Sequence, residues 1–138
     1  MTPPHITVRI DGASRGNPGP AGIGAVVEFG DARAAKELCD YIGETTNNVA
    51  EYRALLMALE EAGRHACASL TVFSDSELLV RQMRGEYKVK SRHLLPLHEE
   101  ARRRLRRFPA VRILHVPREE NRRADLLANL AIDRHRNG

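Results

Sequence analysis

The hydrophobic pattern of this chain changes period once, and that change limits the folds open to it. Residues 5–11 alternate polar and apolar positions and are rich in β-branched side chains, as a half-buried strand requires. Residues 21–29 and 33–43 read as two more strands joined by a short turn around Gly30 and Asp31, which makes an antiparallel meander. From about residue 48 the spacing becomes helical, with Leu55, Ala58, Leu59 and Ala62 on one face of a helix over 48–65. Strand and helix then follow as strand 70–73, helix 75–84, helix 92–107, strand 111–116 and helix 121–135. The order β-β-β-α-β-α-α-β-α implies an α/β fold with a mixed sheet covered by helices. A length of 138 residues without repeat, linker or low-complexity segment fits one domain over 1–138.

Asp11 stands at the end of the first strand and is followed by Gly12, Gly16, Gly19 and Gly22, a stretch where bare backbone amides let a phosphate come close. Three further acids draw attention, and each has an ordinary explanation. Glu51 falls where a capping-box glutamate belongs if Asn48 caps the helix. Asp75 opens a helix and favours its dipole. Asp125 lies off the apolar face in the first turns of the last helix, as a solvated surface acid does. Asp11 itself suits an Asp-Gly turn. Taken together they mean more. If the strands ending at Asp11 and Asp75 are parallel neighbours, their carboxyl ends share the sheet edge where open α/β sheets place ligands. Acids converging there repel one another, and oxygen-only sites of this kind suit Mg²⁺ or Mn²⁺ and not zinc.

The charge balance narrows the partner. The net charge is +4, carried by nineteen arginines and three lysines, and arginine is the better bidentate phosphate ligand. No apolar run is long enough to span a bilayer, and the start at Met1-Thr2-Pro3-Pro4 lacks a secretory pattern. Cys39 and Cys67, without CxxC spacing, are expected as reduced thiols in a cytoplasmic protein.

The chain resembles the type 1 ribonucleases H over essentially its whole length. The resemblance rests on Asp11-Gly12 with Asn17-Pro18-Gly19, on Thr45-Thr46-Asn47-Asn48-Val49-Ala50-Glu51, on Ser74-Asp75-Ser76, and on Asn121-Arg122-Arg123-Ala124-Asp125-Leu126-Leu127-Ala128. It implies a five-stranded sheet, three strands antiparallel and two parallel, and hydrolysis of the RNA strand of RNA–DNA hybrids to 5′-phosphate and 3′-hydroxyl ends. It also implies two Mg²⁺ ions, replaceable by Mn²⁺, in the two-metal scheme. Asp11 would bridge both ions, Asp125 would help hold the ion on the attacking-water side, and Glu51 and Asp75 the ion beside the leaving oxygen. Gly12, Asn17, Thr46, Asn47 and Asn48 would meet the substrate, with Thr46 at a DNA phosphate and the asparagines in the groove. Amides and hydroxyls suit a hybrid, whose backbone shape and 2′-hydroxyls are read in preference to base edges.

The chain departs from the family pattern in two places. The loop Pro117-Arg118-Glu119-Glu120-Asn121 lacks the histidine that many members carry, and Arg118 is the expected catalytic substitute, assisting proton or product handling or contacting phosphate, since a guanidinium stays protonated and is a poor general base. His115 is expected to pack within the last strand. The basic protrusion of larger relatives is missing between the second and third helices, so the chain looks closest to the short archaeal-type and related bacterial variants. A monomer is expected, with double-stranded RNA as a second candidate substrate. Two rival readings stay open: a non-catalytic binder of hybrid or double-stranded RNA, and another metal-dependent nuclease on the same fold.

Overall fold

The computed structural model describes residues 4–137, so the reading of the chain's first three residues lies outside the described residues. Five strands form one sheet: β1 (His5–Ser14), β2 (Gly19–Phe29), β3 (Lys36–Thr45), β4 (Ser69–Ser74) and β5 (Val111–His115), in the order β3-β2-β1-β4-β5. The first three are antiparallel, while β4 runs parallel to β1 and β5 parallel to β4. The helices are α1 (Asn47–Ala62), α2 (Glu77–Met83), α3 (Leu95–Leu105) and α4 (Arg122–Asn137), with a 3₁₀ turn at Arg118–Glu120. The mixed α/β architecture expected from the period change is the one observed.

The sheet is covered unequally on its two faces. Ile6, Val8 and Ile10 of β1, Ile23, Ala25 and Val27 of β2, and Leu70 and Val72 of β4 join Ala54, Leu55, Ala58 and Leu59 of α1 in the main core. α3 packs on the outside of α1. The opposite face is closed by α4, which lies across β2, β3 and β1. Its buried residues are Ala124, Leu127, Ala128, Ala131 and Ile132, and the three alanines are small enough to bring the helix close to the sheet. Glycine makes that approach possible: a Cβ on Gly24 would lie 2.5 Å from the Ala124 carbonyl oxygen.

Several boundaries differ from those read in the pattern, each for a local reason. β1 does not end at Asp11. Gly12, Ala13 and Ser14 stay paired with Ile23, Gly22 and Ala21, so the turn shrinks to residues 15–18. The backbone at Gly12 is pressed against the start of α1, where a Cβ would sit 2.2 Å from the Ala50 carbonyl carbon. α1 begins one residue early because the Thr46 hydroxyl caps it, accepting from the Val49 N–H at 3.3 Å. Thr46 therefore takes the capping position assigned above to Asn48. α2 begins two residues late because Ser76 caps it. α3 begins at Leu95 because Pro96 is tolerated only in a first turn.

Gly12→Ala is expected to cost about 1–3 kcal/mol, the usual range for forcing extra volume into a packed interior. The readout is thermal unfolding by circular dichroism, where a lower midpoint is expected and an unchanged one contradicts the close approach.

Candidate active site

The parallel ladder between β1 and β4 ends at the pair Ile10 and Ser74. The next residues, Asp11 and Asp75, therefore emerge side by side at the carboxyl edge of that ladder, even though β1 itself continues along β2. Glu51 reaches them from α1. It is the fifth residue of the helix, too far along for the capping box expected of it, and it is only 7% exposed. Its Oε1 accepts the Gly12 N–H at 2.6 Å, while Oε2 is buried with no hydrogen-bond partner. One carboxylate oxygen from each of Asp11, Glu51 and Asp75 lies within 4.8 Å of the others.

Asp125 completes the group from the opposite face. Strand alternation turns Asp11, 6% exposed, toward the side that α4 covers, and Asp125 in the first turn of α4 lines the same groove. Asn129, one turn on, donates to Asp125 Oδ1 at 3.2 Å. Asp75 does not cap α2, a task that falls to Ser76. Its Oδ2 accepts from Asn121 Nδ2 at 3.4 Å.

The electrostatics follow from this crowding. Burial pushes the Asp11 carboxyl far above the usual range, and the neighbouring Glu51 and Asp75 charges add to the rise. Burial likewise raises Glu51, against the lowering effect of the neighbouring Asp11 carboxyl and the Gly12 N–H. Asp75 is raised by burial, partly offset by Asn121 and the Arg118 charge. Carboxylates this close resist ionising together unless a cation joins them. The donor set fits a hard divalent cation: it is oxygen only, and it holds a buried Glu51 oxygen without a partner.

The acids open onto a groove of about 520 Å³, also lined by Gly12, Asn47, Asn48 and Arg118. At its rim Asn17 Oδ1 accepts the Asn47 N–H at 3.0 Å, and Asn47 Oδ1 accepts the Ser14 N–H at 2.9 Å. These bonds tie the β1–β2 turn to the start of α1. Asn48 is exposed. The Arg118 side chain is 78% exposed with Nη2 3.5 Å from Asp125 Oδ1. His115 ends β5 in an exposed position, so it does not pack in the way expected of it.

The sequence pattern assigns no role to two asparagines that hold these acids. Asn121 holds Asp75, and Asn129 holds Asp125 while accepting from Arg15 Nη2 at 3.3 Å. Asn121, Asp125 and Asn129 recur at spacing four, a helical stripe visible in the sequence once α4 is placed.

Residues 9–131 match the family described as reverse transcriptase-like. The chain is 44% identical over 129 residues to the bifunctional protein Rv2228c of Mycobacterium tuberculosis, covering 93% of this chain and 35% of that protein. It is 45% identical over 129 residues to ribonuclease HI of Halobacterium salinarum, covering 94% of this chain and 65% of that protein. This chain thus spans about a third of the first relative and under two thirds of the second. Among solved structures, LC11-RNase H1, isolated from compost by a metagenomic approach and solved in complex with an RNA/DNA hybrid, superposes with a TM-score of 0.87. The identity is 44%, over 94% of this chain and 98% of that one.

Relief of the acid crowding has a stability signature. In the absence of divalent ions Asp11→Asn is expected to melt above the wild type, by roughly 4 °C for each kcal/mol of repulsion removed. The variant is also expected to lose most of the upward shift that Mg²⁺ gives the wild type. Differential scanning calorimetry in EDTA and in Mg²⁺ reads both, and a variant that melts lower in EDTA contradicts the electrostatic account.

Proposed function

The chain belongs to the type 1 ribonucleases H of the reverse transcriptase-like family, and from that premise we propose that it is an endoribonuclease hydrolysing the RNA strand of RNA–DNA hybrids. One observation carries the reading: three carboxylates from β1, α1 and the β4–α2 junction meet at one point in an open groove, with a buried Glu51 oxygen left unpartnered. A module that only bound phosphates would gain nothing from acids at the contact, which repel them.

Asp11, Glu51, Asp75 and Asp125 would hold two Mg²⁺ ions, with Mn²⁺ as a substitute. Bound ions of this kind supply a nucleophile at neutral pH and neutralise charge on the attacking and leaving oxygens. The protein's own part is placement. Asp11 is central because it neighbours all three other acids. The Gly12 N–H fixes one Glu51 oxygen and leaves the other for a ligand. Asn17, Asn47 and Asn48 border the approach, and the internal bonds of Asn17 and Asn47 hold that border rigid. Neither amide NH₂ group bonds to a described residue, which suits donation to sugar and phosphate oxygens. Thr46 caps α1 through its hydroxyl oxygen, which leaves its O–H proton to give to a DNA phosphate.

Arg118 takes the place of the family's loop histidine. Permanently charged and largely exposed beside Asp125, it serves as a phosphate contact and not as a base. The described residues form one sheet covered on both faces, which supports reading them as a single domain. Among the described residues no helix is long and apolar enough to cross a membrane. Cys39 and Cys67 are free thiols, as a cytoplasmic setting favours.

Labelled RNA–DNA hybrid incubated with Mg²⁺ is expected to be cut to 5′-phosphate and 3′-hydroxyl ends. Asp11→Asn is expected to lower kcat by about 10²–10³-fold, the scale on which transition-state charge stabilisers act. Equal cleavage by both proteins, or none by the wild type, refutes the assignment, and a parallel double-stranded RNA arm reads substrate range. For Arg118→Ala, the slope of log affinity against log salt is expected to fall by about 1, as for one lost phosphate contact. An unchanged slope removes Arg118 from the substrate surface.

A further inference from the structure

Asn121 occupies the capping position of α4, since its carbonyl accepts the Asp125 N–H at 3.1 Å. A capping asparagine ordinarily turns its side-chain oxygen to the exposed N–H groups of the first turn. Here Oδ1 caps nothing: it is buried and has no hydrogen-bond partner. The side chain, 1% exposed, instead points its amide nitrogen into the sheet edge. Nδ2 donates to the Ile10 carbonyl at 2.8 Å and to Asp75 Oδ2 at 3.4 Å. Both partners are acceptors only, so the NH₂ end must face them, and its two hydrogens match the two bonds. A residue that leaves its oxygen unsatisfied and its helix uncapped to make these bonds is poorly explained by stability alone.

Ile10 immediately precedes Asp11, and Asp75 immediately follows β4. One amide thus links the backbone that carries the first acid to the carboxylate of the third. We propose that Asn121 is a positioning residue: its two N–H donors fix the spacing between Asp11 and Asp75, and through it the fit of the acid cluster to a divalent cation. Arg118 also stands near Asp75 but is mostly exposed, so it cannot supply this rigidity. The inference rests on the metal-dependent reading of the site given above.

Asn121→Ser separates this role from capping. Serine caps helices about as well as asparagine but is too short to span both acceptors. Mn²⁺ titration by calorimetry, without substrate, is the main readout, supported by KM for hybrid. Asn121→Ser is expected to bind Mn²⁺ about 10–100-fold more weakly, the usual effect of losing a partner behind a metal ligand, with KM within about twofold of wild type. Should that variant lack a cooperative melt, Asn121→Ala is titrated in its place with the same expectation. A folded variant that binds Mn²⁺ within about twofold of the wild type overturns the proposal. A wild type that binds no Mn²⁺ and cuts no hybrid overturns the functional reading instead.

Discussion

The contact between Gly12 and the start of α1 is the constraint on which the site depends. Without a Cβ, the β1 backbone lies against Ala50 and Glu51, and the Gly12 N–H reaches Glu51 Oε1 at 2.6 Å. That bond does two things at once. It satisfies a backbone donor on a strand that has passed beyond the end of β4, and it fixes a buried carboxylate next to Asp11. A side chain at Gly12 would move α1 outward and with it Glu51, the only acid of the cluster that α1 supplies. Close packing and chemistry are thus set by the same missing methyl group.

The other acids are fixed by different elements, and their convergence carries an electrostatic cost. Asp11 and Asp75 leave the sheet at the end of one parallel ladder, and Asp125 enters from α4 on the opposite face. Two of them are held by asparagines: Asp75 by Asn121, and Asp125 by Asn129. The fold therefore keeps like charges close where free side chains would swing apart. Such an arrangement is unfavourable for the bare protein and favourable once a divalent cation is shared, which ties the stability of this edge to its proposed chemistry.

Much of this was readable from residues, and the failures have physical causes. The period change placed the meander before the helix–strand alternation, because alternating β-branched residues and a 3.6-residue apolar stripe are local signals. The four acids were visible as a set, since strand ends and helix starts bring such residues to one edge. What could not be read was the long-range pairing. Gly12 to Ser14 look like a turn but remain in the ladder because β2 continues opposite them, a tertiary fact absent from the local pattern. Glu51 looked like a capping residue because Asn48 and Thr46 are both good caps, and only the Val49 N–H geometry chooses Thr46. Asn121 escaped notice for a similar reason. An asparagine before a helix reads as a cap, and its inward turn depends on a carbonyl and a carboxylate more than forty positions away in sequence.

The central claim is that these acids form a divalent-cation site facing a hybrid. Anomalous diffraction from crystals of Asp11-intact protein grown with Mn²⁺ and a non-cleavable RNA–DNA hybrid tests it most directly. The account predicts two Mn²⁺ peaks, one among Asp11, Glu51 and Asp75 and one between Asp11 and Asp125, with the RNA strand in the adjoining groove. Well-ordered hybrid with no Mn²⁺ peak at these carboxylates would contradict it.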